Sequence, residues 1–212
     1  MPSGPRPWQR AAMDLKALIG DPSCTIAAIG AALDALPHEE RLAQTRTLSR
    51  GAQRLLYEKA AASPPAALED FVPEGNAPRA PVRHSGRNTL PVFRLFEKRF
   101  CVPESGAGRL FGYNEGPTRK LVGPGYFVAH PTAGNAEWER RGAVVIDYFQ
   151  VPDGPVAEGW PAVVPNSRGL QALVYDQTRD FMRKVSRHVT IGAAYKREKA
   201  IGAWFVLCRE DA

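Results

Sequence analysis

Apolar residues at Trp8, Ala12, Leu15, Leu18 and Ile19 recur at three-to-four-residue intervals, which predicts a helix stopped by Gly20. A second helix is predicted from Thr25 to Leu36, rich in Ala, Ile and Leu and ended by Pro37. A third is expected from about His38 to Ala61, with Leu42, Thr45, Leu48, Ala52, Leu55 and Leu56 on one stripe. Short connections between such helices favour antiparallel packing.

The pattern changes after Ala61. Pro64, Pro65, Pro73, Pro78 and Pro81 interrupt a polar stretch anchored only by Phe71 and Val72, which predicts a linker or an extended surface segment. From Leu90 onward the runs are short, aromatic and β-branched: 91–102, 109–113, 125–130 and 141–151. Two closing strands near Val189–Tyr195 and Ala200–Cys208 are expected to form a hairpin through Lys196-Arg197-Glu198-Lys199. Between them and the earlier strands, Leu170, Leu173, Val174, Phe181 and Val185 fall at helical spacing, so a long helix over 168–187 is expected, capped by Ser167.

These elements predict an α+β fold: an N-terminal helical segment (1–62), a Pro-rich linker (63–89) and an antiparallel β-rich domain (90–212). In that last domain a curved sheet, roll or barrel carries the long C-terminal helix.

Composition adds little to the fold but bounds the function. At 212 residues, 44% hydrophobic and 24% charged, the chain is of ordinary globular type. No apolar run is long enough for a membrane-spanning helix, and the first twenty residues lack the apolar block of a secretory signal, so a cytoplasmic protein is expected. Cys24, Cys101 and Cys208 stand far apart with no metal-type spacing and are expected as reduced thiols. Neither a metal nor a named cofactor is implied. The formal charge of +6 is local: residues 1–80 carry equal numbers of acidic and basic side chains, and the excess lies towards the C-terminus.

Three chemical features stand out. Asp147 lies in the run Val144–Phe149, where alternation places it with Val145 and Phe149, and Tyr148 with Val144 and Ile146. A carboxylate on an apolar face needs a partner or a cavity. His130 closes a strand, and Gly116–Gly125 is either a bend or, through Arg119 and Lys120, an anion cradle. His38 and His84 are expected to be solvated.

The leading expectation is a small-molecule or lipid-like ligand in a pocket of the curved sheet, contacted by Asp147, Tyr148, His130, Tyr126 and Arg119. Its polarity would be amphipathic or anionic. A second expectation is a phosphate-rich or acidic partner, nucleic acid or acidic lipid, held by Arg179, Arg183, Lys184, Arg187, Lys196 and Arg197. The third is an enzyme of undefined class using an Asp147/His130 acid–base pair.

Overall fold

The computed structural model describes residues 13–91, 94–106, 108–117 and 119–211. Among these, eight strands follow one another around a closed antiparallel barrel. They are β1 (Val82–Asn88), β2 (Leu95–Cys101), β3 (Leu110–Glu115), β4 (Phe127–Pro131), β5 (Val144–Asp147), β6 (Thr178–Lys184), β7 (Val189–Lys196) and β8 (Lys199–Arg209). Pairing of β8 with β1 completes the ring. The expected antiparallel β fold with helices is therefore present, and closure leaves no free sheet edge.

Three directly opposed glycine–phenylalanine pairs explain how so narrow a barrel is filled. Gly86 faces Phe96, Gly112 faces Phe127, and Gly192 faces Phe205 across neighbouring strands. A Cβ on these glycines would approach the facing ring to 2.5, 2.4 and 2.4 Å respectively. Each ring thus lies flat over a strand that offers no side chain, and the lumen packs with Phe100, Val144, Ile146, Met182 and Leu207.

One end of the barrel, here the lower, is plugged. Ala66, Phe71 and Val72 enter the lumen core around a 3-10 turn at Leu68–Asp70. Lys184 Nζ reaches Asp70 Oδ1 at 2.6 Å, and Arg209 donates to the carbonyls of Glu69 and Asp70. His84 is 1% exposed and its Nε2 lies 2.8 Å from the Phe71 carbonyl. The expectation of a solvated His84 is corrected: it is a lumen residue, because alternation in β1 turns it inward with Gly86.

Outside the barrel, α1 (Leu15–Gly20), α2 (Ile26–Asp34), α3 (His38–Arg46) and α4 (Arg50–Lys59) cover β7 and β8. Leu15, Ile19, Ile29, Leu33 and Leu56 pack on Val189, Ile191, Val206 and Cys208. Trp8 and Ala12 of the expected first helix lie outside the described residues. The single helix expected over 38–61 is two helices. Ser49 caps α4 by accepting from Ala52 N, while the Leu48 carbonyl is taken by Arg87 and Gln53 side chains.

The long helix expected over 168–187 is also corrected. One turn, α7 (Gln171–Val174), is followed by β6, and Gln177 at φ 57° makes the change of direction. Strand alternation satisfies these residues better: Asp180 and Met182 turn inward while Arg179, Phe181 and Arg183 turn outward. Without β6 between β5 and β7 the barrel would not close. Within the stretch expected as a linker over 63–89, Val82–Asn88 is the strand that joins β2 to β8. The expected closing hairpin is present, with Arg197 and Glu198 at φ 51° and 62°, as a tight two-residue turn requires. Cys24, Cys101 and Cys208 are free thiols.

Candidate functional site

Alternation along β2 puts Phe96, Lys98 and Phe100 on one face, so Lys98 projects into the aromatic lumen. Its ammonium lies 5.0–5.6 Å from the ring centres of Phe96, Phe127, Tyr148 and Phe205. Strand pairing brings three polar partners to it. Asn114 Oδ1, across on β3, accepts at 2.9 Å; Asp180 Oδ2 on β6 lies 3.3 Å away; the Tyr148 hydroxyl at the end of β5 also contacts Nζ. Tyr148 OH lies 3.3 Å from Asp180 Oδ2, and Asn114 Nδ2 donates to the Gly125 carbonyl at 2.9 Å. Lys98 is 2%, Tyr148 3%, Asp180 5% and Asn114 8% exposed.

Burial sets the electrostatics. It pushes the Lys98 amine below its ordinary pKa, against the opposing pull of the Asp180 carboxylate. Burial likewise raises Asp180 despite Lys98 beside it, and raises the Tyr148 phenol well above its ordinary value. Burial thus works against the charge on both partners while each favours the ionised form of the other, with the Tyr148 phenol between them.

What covers this group is as informative as the group itself. Tyr175, just after α7, stacks on Tyr148 with ring centres 5.3 Å apart, and burial pushes its phenol up to about 12. The same ring presses against the backbone of Gly125, where φ is +53° and an added Cβ would lie 2.4 Å from it. Only glycine fits there. Gln171 of α7 accepts from Gly125 N at 3.4 Å. The upper end is thus closed by a tyrosine carried on a one-turn helix.

That end also has inverted polarity. Among the described residues, every large apolar side chain recorded as exposed belongs to its connections or their flanks. Leu90 and Leu95 flank the β1–β2 loop, Leu121 lies in α5 (Arg119–Val122) between β3 and β4, and Ile201 begins β8. Phe149, Leu170, Leu173 and Val174 belong to the β5–β6 connection. The polar residues are inside and the leucines outside, the reverse of what stability alone selects.

The residues expected as ligand contacts do not all meet. Tyr148 is in the lumen cluster. Asp147, one position earlier, faces the outer wall, where His130 Nε2 lies 4.0 Å and Arg179 Nε 3.3 Å from its carboxylate. Phe149 N and Gln150 Nε2 donate to the same group at 3.0 and 3.1 Å. Arg179 is sandwiched between Trp138 and Phe149, 4.5 and 4.0 Å from their ring centres, and also binds Glu198. Tyr126 packs against Tyr113 and Trp160 and donates to the Pro161 carbonyl. Arg119 pairs with Glu115 at 2.7 Å.

The Asp147–His130 arrangement is an ion-pair network on the outer wall, with Asp147 buried and His130 partly exposed. Burial would raise the Asp147 carboxyl, but His130, Gln150, the Phe149 amide and Arg179 together hold it below its ordinary range. His130 is raised, chiefly by Asp147. Protonated His130 therefore adds stability below pH about 6.5 that is lost as pH rises through its higher folded pKa. In an NMR titration its midpoint should lie above the free-histidine value and drop in Asp147→Asn; an unchanged midpoint would show that the pair does not interact.

The basic residues expected as one anion-binding face occupy several. Arg183 stacks on Tyr57 and donates to the Tyr57, Arg140 and Arg141 carbonyls. Lys184 belongs to the lower plug, and Arg187 N is held by Asp34. Lys196 donates to the Leu173 carbonyl and Arg197 to Gln177, both at the upper end.

Lys98, Asp180, Asn114 and Tyr175 are not among the residues the sequence singles out. The signal for Lys98 was present: a lysine between two phenylalanines at i±2 in a strand. Two surface clefts, of about 700 Å³ beside α2 and α4 and about 250 Å³ beside β7 and β8, do not reach this cluster. Their polar linings, Glu58 and Lys59 in the first and Tyr57, Glu58, Arg183 and Tyr195 in the second, lie outside the barrel, so the buried chemistry rather than the volume marks the site.

Comparison with protein-family models, curated proteins and solved structures gives no match. The site must be read from its own geometry. Among the described residues no three His, Cys, Asp or Glu side chains converge as for a metal, and no helix is long and apolar enough to cross a membrane.

Proposed function

We propose that this protein binds an amphipathic carboxylate, an apolar chain with an acidic head, at the upper end of the barrel. The head lies at Lys98 and the chain runs out past Tyr175. One observation carries the reading: Lys98, Asp180, Tyr148 and Asn114 are buried beneath segments that expose Leu121, Leu170, Leu173 and Val174. A buried ion pair is a poor route to stability, because desolvation offsets its Coulomb attraction. Exposed leucines bring no stability either, yet both features concentrate at one end.

The electrostatics suit an acidic head. Asp180, already raised by burial, takes up a proton when a second carboxylate arrives; Lys98 then pairs with the ligand. The lumen keeps its net charge, and the new carboxylic acid donates to the incoming oxygen. Tyr175 is the movable element, since α7 is only one turn long and its flanking leucines are unpacked.

Laurate is a suitable probe. Calorimetric titration should show saturable binding that takes up a proton, so affinity falls as pH rises. Lys98→Met/Asp180→Leu, which keeps the lumen full and uncharged, should weaken binding at least about tenfold, the equivalent of one lost charge-assisted contact. Equal laurate affinity in that variant and the parent would refute the reading.

A further inference from the structure

The apolar chains at the upper end sit on four separate connections around the barrel rim, the two most exposed being Leu121 at 73% and Leu173 at 76%. Basic side chains are interleaved with them. Lys120 adjoins Leu121, Arg168 precedes Leu170 by two positions, Lys199 precedes Ile201 by two, and Arg94 adjoins Leu95.

These four, with Lys196 and Arg197, make no ion pair with a carboxylate among the described residues. Arg94, Lys196 and Arg197 donate instead to Leu90 O, Leu173 O and Gln177 Oε1. Of the nearby carboxylates, Glu115 holds Arg119 and Glu198 holds Arg141 and Arg179, while Asp176 accepts from Gln177 Nε2. The rim therefore presents leucine tips set among an excess of unpaired cations, with Asp176 as a nearby carboxylate.

The geometry points to this rim as a docking surface for an anionic lipid bilayer. A protein partner would ordinarily seat on a continuous, shaped apolar patch. Separate apolar tips around a ring instead suit a fluid surface, into which each enters between headgroups while Lys and Arg meet lipid phosphates and carboxylates. This inference stands on the rim alone and holds whether or not the lumen takes a ligand.

Co-sedimentation of the full chain with phosphatidylcholine vesicles, with and without phosphatidylserine, tests it. Binding should require phosphatidylserine and should be released by high salt, as screening of exposed charges demands. Leu121→Ser/Leu173→Ser should lower partitioning roughly tenfold or more, through loss of two inserted apolar chains. Lys120→Glu/Lys199→Glu should abolish it by a separate route. Lys98→Met/Asp180→Leu should bind vesicles as the parent does, which separates this proposal from the lumen reading.

No binding to phosphatidylserine vesicles would overturn it, as would binding indifferent to the serine substitutions. Self-association abolished by those substitutions, without vesicle binding, would assign the rim to a second copy of the chain instead.

Discussion

Lys98→Met is expected to destabilise the protein by about 3–5 kcal/mol at pH 8, because it leaves Asp180 buried without its cation. For a chain of this size that corresponds to a fall in Tm of roughly 6–20 °C. Asp180 is 5% exposed, and its other side-chain contact is the Tyr148 hydroxyl at 3.3 Å. The carboxyl has one escape, which is to bind a proton. The penalty should therefore shrink as pH falls towards 5, and the variant should approach the parent in acid.

Lys98→Met/Asp180→Leu removes both charges and should recover most of the loss, since an apolar replacement of a buried pair is often neutral or better. Urea denaturation at two pH values separates these outcomes. A single variant within about 1 kcal/mol of the parent at pH 8 would mean that the charge is not confined as described.

The second large effect is acid instability centred on His84. Burial lowers its folded pKa to about 3, from an ordinary value of 6.5. Above pH 6.5 the ring is neutral whether folded or unfolded, and its full contribution is present. Below that, the unfolded chain binds a proton that the folded lumen refuses, so stability falls by about 1.4 kcal/mol per pH unit until the folded pKa is reached. Across the whole window the loss approaches about 5 kcal/mol.

The direction is opposite to that of His130, whose stabilisation grows on acidification. His84→Gln retains a donor for the Phe71 carbonyl but cannot titrate. The difference in stability between parent and variant, followed from pH 7 towards 4, should therefore carry this slope. A pH-independent difference would show that His84 reaches solvent.

How far the sequence revealed these features depends on whether they are local. The N-terminal helices are legible in outline from their apolar spacing, but the caps are not: Asp14 starts α1, and Ser49 divides the stretch 38–61 although the stripe from Leu42 to Leu56 runs on across it. The β7–β8 hairpin is legible from its turn. The stretch 168–187 is not, since Leu170, Leu173, Val174, Phe181 and Val185 happen to fit helical spacing. The decisive facts are non-local: Met182 completes a lumen layer, and β5 and β7 need a strand between them.

Site residues divide the same way. Alternation correctly separates Asp147 from Tyr148 onto opposite faces, yet it cannot say which face is the lumen. Asp180 was concealed by the helical assignment. Lys98 was readable by the argument already applied to Asp147, a charge between apolar neighbours at i±2. The glycine–phenylalanine pairs that fill the barrel become visible only once register is known.

Lys98 itself reports whether a ligand's acidic head enters the lumen. In protein carrying ¹³C at the lysine ε-carbon, the Lys98 signal should be displaced by the surrounding rings and identified by its loss in Lys98→Met/Asp180→Leu. Laurate should shift that signal, with smaller or no changes at the exposed lysines. Saturable laurate binding that leaves the Lys98 signal where it was would mean that the acidic head binds elsewhere than at Lys98.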